Sequence, residues 1–296
     1  MHQHVLCTSM LAGRSGHGAS VPLVATNIKK CGNTNQWRIA LALFNYVLQL
    51  RTCVDAVLYN IAIGACGKGM QWVHAISLLR EMVQADVESD IGSYSIATSA
   101  LGKCSRWQDA LSLLNEMVET HMDPDIVCFN CGVSACEKRG QWQQALSLLN
   151  WAREMKLQPN VISYNAGISA CEKGVQWQQA LLLLSELRET RLDPSVVSFC
   201  AGISACEKGK QWRHALSLFS ELWEAKLEPS LISYNAAISA CEKSGQWQQA
   251  LLMLSASRVA KLKPDAFEAL CRAHPPPHSE ELQVSAGAWH GSVVAW

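Results

Sequence analysis

Charged side chains are scarce in this 296-residue chain. Asp, Glu, Lys and Arg together make up 17% of it, and 25 basic residues balance 25 acidic ones. The chain therefore lacks the strongly basic balance usual in nucleic-acid binders. An apolar share of 49% excludes a disordered chain, which is poor in apolar residues and rich in like charge. No apolar run approaches the roughly 18 residues of a membrane-spanning helix, so no membrane partner is expected. Strand-like alternation is missing throughout. So are a phosphate loop, a nucleophile elbow and a paired-carboxylate constellation, so neither catalytic activity nor a cofactor is expected. Acidic residues are absent from the first 54 positions, which carry Arg14, Lys29, Lys30, Arg38 and Arg51. Residues 1–20, rich in small and hydroxyl side chains, read either as a plastid or mitochondrial transit peptide or as the ragged end of a longer array.

What the chain does have is a period. Trp37, Trp72, Trp107, Trp142, Trp177, Trp212 and Trp247 follow one another at 35-residue intervals. Length alone would suggest about two domains, but a fixed period overrides that prior. Residues 21–265 divide into seven units: 21–55, 56–90, 91–125, 126–160, 161–195, 196–230 and 231–265. Ala40, Ala75, Ala110, Ala145, Ala180, Ala215 and Ala250 keep the register. So do the aromatics Tyr59, Tyr94, Phe129, Tyr164, Phe199 and Tyr234, with Val24 in their place in the first unit.

Each unit reads as two helices. In 161–195, Tyr164, Ile168 and Cys171 fall on one face of a first helix, which Gly174 is suited to end in a left-handed stop. Trp177, Ala180, Leu181 and Leu184 form one face of a second. Pro124, Pro159, Pro194, Pro229 and Pro264 punctuate the modules. A hairpin this small cannot bury its apolar stripe alone, whereas stacked hairpins can. The fold class expected is all-α, an α-solenoid of stacked helix–turn–helix repeats. Residues 266–296 read as a partial eighth repeat, Ala266 to Cys271, then a flexible tail or imperfect cap.

A 35-residue helix pair with Ser163-Tyr164-Asn165 or Ser233-Tyr234-Asn235 near its start, and Pro followed by Asp, Asn or Ser at its end, resembles the pentatricopeptide repeat family. The tetratricopeptide repeat has a 34-residue period and a different opening. The resemblance covers 245 of the 296 residues. It implies a right-handed superhelix that binds single-stranded RNA, in chloroplasts or alternatively mitochondria, where it would act in RNA processing, stability or translation. Recruited processing or translation factors would be further partners. A protein-binding helical scaffold is the alternative.

The resemblance further implies that one base is read per repeat by the fifth residue and the last. These pairs are Ala25/Asp55, Asn60/Asp90, Ser95/Asp125, Asn130/Asn160, Asn165/Ser195, Cys200/Ser230 and Asn235/Asp265. They vary while the core columns do not. Such short polar side chains can hydrogen-bond a base edge. By the family's code the target from the second unit on is 5′-U-G-(C/U)-C-any-U-3′. Helix capping is the competing role for the last residue. The resemblance also puts Lys68, Lys103, Lys138, Lys173, Lys208 and Lys243 near phosphates. Helix C-termini attract such cations without any RNA. It assigns base stacking to Val57, Val127, Ile162, Val197 and Ile232, for which inter-repeat packing is the ordinary alternative. Residues 126–265 carry 15 basic against 12 acidic residues, and 56–125 carry 4 against 9, so a tighter grip is expected toward the C-terminal modules.

Cys31, Cys66, Cys136, Cys171, Cys206 and Cys241 form one column, read as small buried residues rather than a disulfide framework. Cys128 and Cys131 have a zinc-like spacing but no second pair, so no metal is expected. Some members of the family carry a cytidine deaminase domain, and His278-Ser279-Glu280 matches its H-x-E element. The P-C-x-x-C that would complete the zinc site is absent.

Overall fold

The structure is a computed structural model that describes residues 21–50 and 54–259. The proposed leader in 1–20, Pro264, Asp265, the partial repeat and tail of 266–296, and His278 and Glu280 lie outside the described residues.

Fourteen α-helices of 13 residues each, and no strand, make up the described chain. They are α1 Val21–Asn33, α2 Trp37–Gln49, α3 Ala56–Lys68, α4 Trp72–Gln84, α5 Ile91–Lys103, α6 Trp107–Glu119, α7 Ile126–Lys138, α8 Trp142–Glu154, α9 Val161–Lys173, α10 Trp177–Glu189, α11 Val196–Lys208, α12 Trp212–Glu224, α13 Leu231–Lys243 and α14 Trp247–Val259. None is long and apolar enough to cross a membrane. The chain resolves into two compact units. One runs to Arg139 and includes Ser147–Gln158. The other comprises Gly140–Leu146 and the chain from Pro159.

Within the first unit the first helices α1, α3, α5 and α7 pack side by side in sequence order. In the second, α9, α11 and α13 do the same. Second helices inside a unit, such as α4 or α12, pack on their own first helix and on the next one. This is the stacked-hairpin packing of an α-solenoid. The two kinds of helix bury different surfaces. A second helix buries one stripe, as in Ala75, Leu78, Leu79 and Met82 of α4. A first helix is enclosed on three sides. In α9, Ser163, Tyr164, Gly167, Ile168, Ala170 and Cys171 are all buried. The column cysteines Cys31, Cys66, Cys136, Cys171, Cys206 and Cys241 are at most 1% exposed. Burial pushes the Cys171 thiol up to about 11 and those of Cys206 and Cys241 to about 12.

The turn between the two helices follows one design. In the 161–195 repeat the Gln176 N–H donates to Cys171 O at 2.9 Å and the Val175 N–H to Glu172 O at 3.1 Å. That is a Schellman motif, whose left-handed residue is the one after the C-cap. The left-handed residue is therefore Val175, with φ +59°, and not Gly174, whose φ is −80°. Asn35, Met70, Ser105, Gly140, Lys210 and Gly245 hold the same place at positive φ in the other repeats. Gly174 serves packing instead. A Cβ there would sit 2.4 Å from Trp142 Cδ1, and one on Gly209 2.4 Å from Trp177 Cδ1. Trp142 and Trp177 thus lie under the turn of the following repeat. His214 also covers Trp177 at 5.2 Å, and the Arg106 guanidinium sits 4.2 Å over the Trp72 ring.

Candidate nucleic-acid interface

Because a first helix is enclosed on three sides, it offers solvent one narrow strip. Positions 2, 5, 9 and 13 of each repeat, at helical spacings of 3, 4 and 4, share that face. In α9 these are Ile162, Asn165, Ser169 and Lys173.

At position 2 stand large aliphatics that are half or more exposed. Ile162 is 67% exposed, Ile232 65%, Val197 61%, Val57 60% and Val127 50%. Inter-repeat packing is therefore not what these side chains do. In the third repeat Gly92 takes this place.

One turn on, the fifth residues Asn60, Ser95, Asn130, Asn165, Cys200 and Asn235 are all half-buried. The last residue of a repeat is the N-cap of the next first helix. Asp90 Oδ1 accepts from the Ser93 N–H at 2.7 Å, and Asp125 Oδ1 from the Cys128 N–H at 2.9 Å. Asn160 Oδ1 accepts from the Ser163 N–H at 3.1 Å, and Ser195 and Ser230 from those of Ser198 and Ser233, each at 3.3 Å. Capping is thus a real role for all five. It does not exhaust them, because the cap also reaches the fifth residue of its own repeat. Asn165 Nδ2 donates to Ser195 Oγ at 3.2 Å, and Cys200 Sγ lies 3.3 Å from Ser230 Oγ. The Asn60 side chain hydrogen-bonds Asp90. The Ser93 hydroxyl foremost, then the Ser93 amide and Asn60, hold the Asp90 carboxyl below its ordinary value. Among the described residues Asn60 Oδ1, which is buried, has no hydrogen-bond partner. Cys128 of the fourth repeat bonds both Ser95 and Asp125 of the third, and burial, aided by Asp125, pushes its thiol up to about 12. Asn130 sits on α7 and Asn160 caps α9, while the partner position of Asn235, Asp265, is outside the described residues.

The six lysines are the last residues of their helices, the place a cation takes to meet free carbonyls. All are exposed, but their surroundings differ. Lys138 Nζ donates to Gly102 O at 2.7 Å, and Lys68 Nζ to Asn33 Oδ1. Lys208 Nζ instead pairs with Glu172 Oε1 at 2.9 Å, and Lys243 Nζ with Glu207 Oε1 at 2.7 Å. The basic excess of residues 126–265 therefore does not become open positive charge at these two lysines, contrary to what the charge count suggests.

Sequence reasoning missed two further columns. One is the serine at position 9: Ser99, Ser134, Ser169, Ser204 and Ser239, all half-buried. Ser239 Oγ donates to Glu207 Oε1 at 3.0 Å. The other is the glutamate at position 12. Both were visible as periodic polar residues, and spacing from Asn165 would have put the serines on its face.

Comparison with known proteins matches this arrangement to one family. A profile described as "Pentatricopeptide repeat domain" matches residues 77–139 and 182–244. A second, "PPR repeat family", matches 124–173, and a third, "PPR repeat", matches 57–87. The chain belongs to the pentatricopeptide repeat family. Among solved structures, this pentatricopeptide repeat chain is similar to the maize pentatricopeptide repeat protein PPR10, at TM-score 0.70 and 19% identity over 98% of the chain. It spans 42% of that protein's length. It is also similar to the PPR domain of the Arabidopsis thaliana protein-only RNase P 1, solved in complex with tRNA. There the TM-score is 0.50 and the identity 12%, over 66% of this chain and 95% of the other. At these identities the likeness is one of fold. No curated protein sequence matches. Among the described residues no group of three or more His, Cys, Asp or Glu could hold a metal ion.

Proposed function

We propose that the exposed strip of the first helices binds single-stranded RNA and reads one base per repeat. The observation that carries this is the meeting of two variable polar side chains beside an uncovered aliphatic one. In the 161–195 repeat, Asn165 and Ser195 lie within 3.2 Å of each other, and Ile162, one helical turn from Asn165, is 67% exposed. An unstacked base needs both kinds of contact, an apolar surface for its face and donors and acceptors for its edge. An asparagine amide supplies one of each polarity, and a neighbouring Asp or Ser adjusts the balance. That the chain's fold is shared with a domain solved in complex with tRNA supports the same reading.

On this reading Asn60/Asp90, Ser95/Asp125, Asn130/Asn160, Asn165/Ser195, Cys200/Ser230 and Asn235/Asp265 select bases. Val57, Val127, Ile162, Val197 and Ile232 stack on them. The target is 5′-U-G-(C/U)-C-any-U-3′, and the setting is an organellar transcript, in a chloroplast or a mitochondrion, that the protein shields or presents for processing or translation. The free protein ties Asn165 to Ser195 and Ser198, so binding exchanges those internal hydrogen bonds for bonds to the base. The deciding experiment is selection from a randomised pool of single-stranded RNA on the purified protein. Enrichment of the predicted hexanucleotide supports the reading. Recovery of no RNA, together with salt-tolerant capture of a peptide, would replace it with a protein scaffold.

A further inference from the structure

The lysine column looks uniform in sequence, yet its chemical surroundings change along the chain. The change follows position 12 of the preceding repeat, the residue that Lys138, Lys208 and Lys243 reach back to. That residue is Gly32, Gly67 and Gly102 in the first three repeats, and Glu137, Glu172, Glu207 and Glu242 in the last four.

The glycines are there because the helices touch. A Cβ on Gly102 would lie 2.8 Å from the Cys131 backbone oxygen, and one on Gly67 2.9 Å from Ala100 Cβ. An acidic side chain does not fit at such an approach. The lysines beside these glycines keep their charge unneutralised. Lys138 meets the carbonyls of Gly102 and Lys103, Lys68 meets the neutral Asn33 amide, and none of Lys68, Lys103 and Lys138 pairs with a carboxylate among the described residues.

In the second unit position 12 has room, and a carboxylate fills it. Glu172 takes Lys208 of the following repeat, and Glu207 takes Lys243 together with the Ser239 hydroxyl. These carboxylates are largely shielded, at 19% and 18% side-chain exposure. A lysine that left to meet a phosphate would strand a desolvated anion on the RNA-facing strip. The pair therefore resists opening.

Resting on the RNA-binding role above, we propose that Glu172 and Glu207 silence Lys208 and Lys243 as phosphate contacts. The RNA backbone is then gripped electrostatically through Lys68, Lys103 and Lys138, while the repeats carrying Lys208 and Lys243 hold RNA through base contacts alone. The glutamates are specificity devices. They remove sequence-blind attraction where the bases are read, so a wrong sequence gains little from its phosphates.

The test is the salt dependence of binding by the full chain to a short oligoribonucleotide containing U-G-C-C-A-U, measured by fluorescence anisotropy between about 50 and 200 mM salt. Each lost phosphate contact to a single strand lowers the slope of log affinity against log salt by about 0.7. The triple variant K68Q/K103Q/K138Q is expected to lose about 2 from that slope. K208Q/K243Q should leave it unchanged, and E172Q/E207Q should steepen it by about 1.4 and tighten binding to a scrambled RNA most. An equal loss per lysine in both lysine variants, or an unchanged slope in E172Q/E207Q, overturns the proposal while leaving RNA binding intact. Failure of the unmodified protein to bind any single-stranded RNA overturns both. Circular dichroism melts confirm that the variants remain folded.

Discussion

Asn165 Nδ2 donates to Ser195 Oγ at 3.2 Å, joining residues 30 positions apart at the start and the end of one repeat. The bond makes the fifth and last residues a single chemical unit, so changing the base preference requires changing both. Replacing Asn165 with Ser and Ser195 with Asp reproduces the pair found at Ser95 and Asp125. Asp125 caps its helix at 2.9 Å, so the variant should keep its N-cap and its stability within about 0.5 kcal/mol. The expected outcome in a randomised-RNA selection is a change from C to G at that one position. An unaltered preference would refute the two-residue code.

The position-2 aliphatics separate packing from binding. Ile162 is 67% exposed and Ile168, on the same helix, is fully buried. Ile168→Ala should cost about 2–5 kcal/mol of stability. The double variant I162A/I232A should shift stability by less than about 0.5 kcal/mol. On the proposed reading it should nonetheless weaken RNA binding, because two bases would rest on that surface. Thermal melts and an RNA titration on the same samples separate the two effects. A large loss of stability in the double variant would return these side chains to the core.

The fold was legible in the sequence because the 35-residue period leaves its mark on the core. Trp177, Ala180 and Tyr164 recur in every repeat or nearly so, since each meets the same neighbours. The candidate strip was legible only in part. Asn165 and Ser195 could be paired through family resemblance, but Ser195's simultaneous role as N-cap and its reach back to Asn165 depend on how two hairpins stack. The lysines misled for a related reason. A column of identical residues suggests identical roles, yet Lys138 and Lys208 differ by what the neighbouring repeat offers them, a carbonyl in one case and a carboxylate in the other. Gly174 shows the same limit. Its type suggested a left-handed stop, whereas the close approach of Trp142 is what requires it.

Val175 carries the least comfortable backbone of the turns. A β-branched residue at φ +59° crowds its own carbonyl, at about 1–2 kcal/mol. The same place in other repeats is taken by Gly140 and Gly245 at φ +65° and +70°. Val175 is half exposed, so its side chain contributes little packing. Val175→Gly should therefore stabilise the protein by about 1 kcal/mol, after the extra freedom of glycine in the unfolded chain is subtracted. Chemical denaturation reads this directly. A destabilised variant would mean that the valine side chain has a packing role its exposure conceals.

The buried thiols make stability depend on alkaline pH. Burial raises Cys66, Cys136 and Cys171 from an ordinary 9.0 to about 11, and Cys128, Cys206 and Cys241 to about 12. Well below pH 9, at about pH 7, all six are protonated whether the chain is folded or unfolded, and their contribution is fully present. Above it the unfolded chain releases protons that the folded chain retains. The folded state then binds more protons, and stability falls with rising pH. Each thiol contributes a slope of about 1.4 kcal/mol per pH unit once the unfolded chain has ionised, until its folded form titrates in turn. The melting temperature is expected to be nearly flat around pH 7, to begin falling at about pH 8, and to drop most steeply between about pH 9 and pH 11. Substituting Cys171 with Ala removes one of the six thiols, so the drop should be shallower by about a sixth of their combined slope, even though the variant starts from a lower stability. An alkaline slope identical in C171A and the unmodified protein would show that the buried column does not govern it.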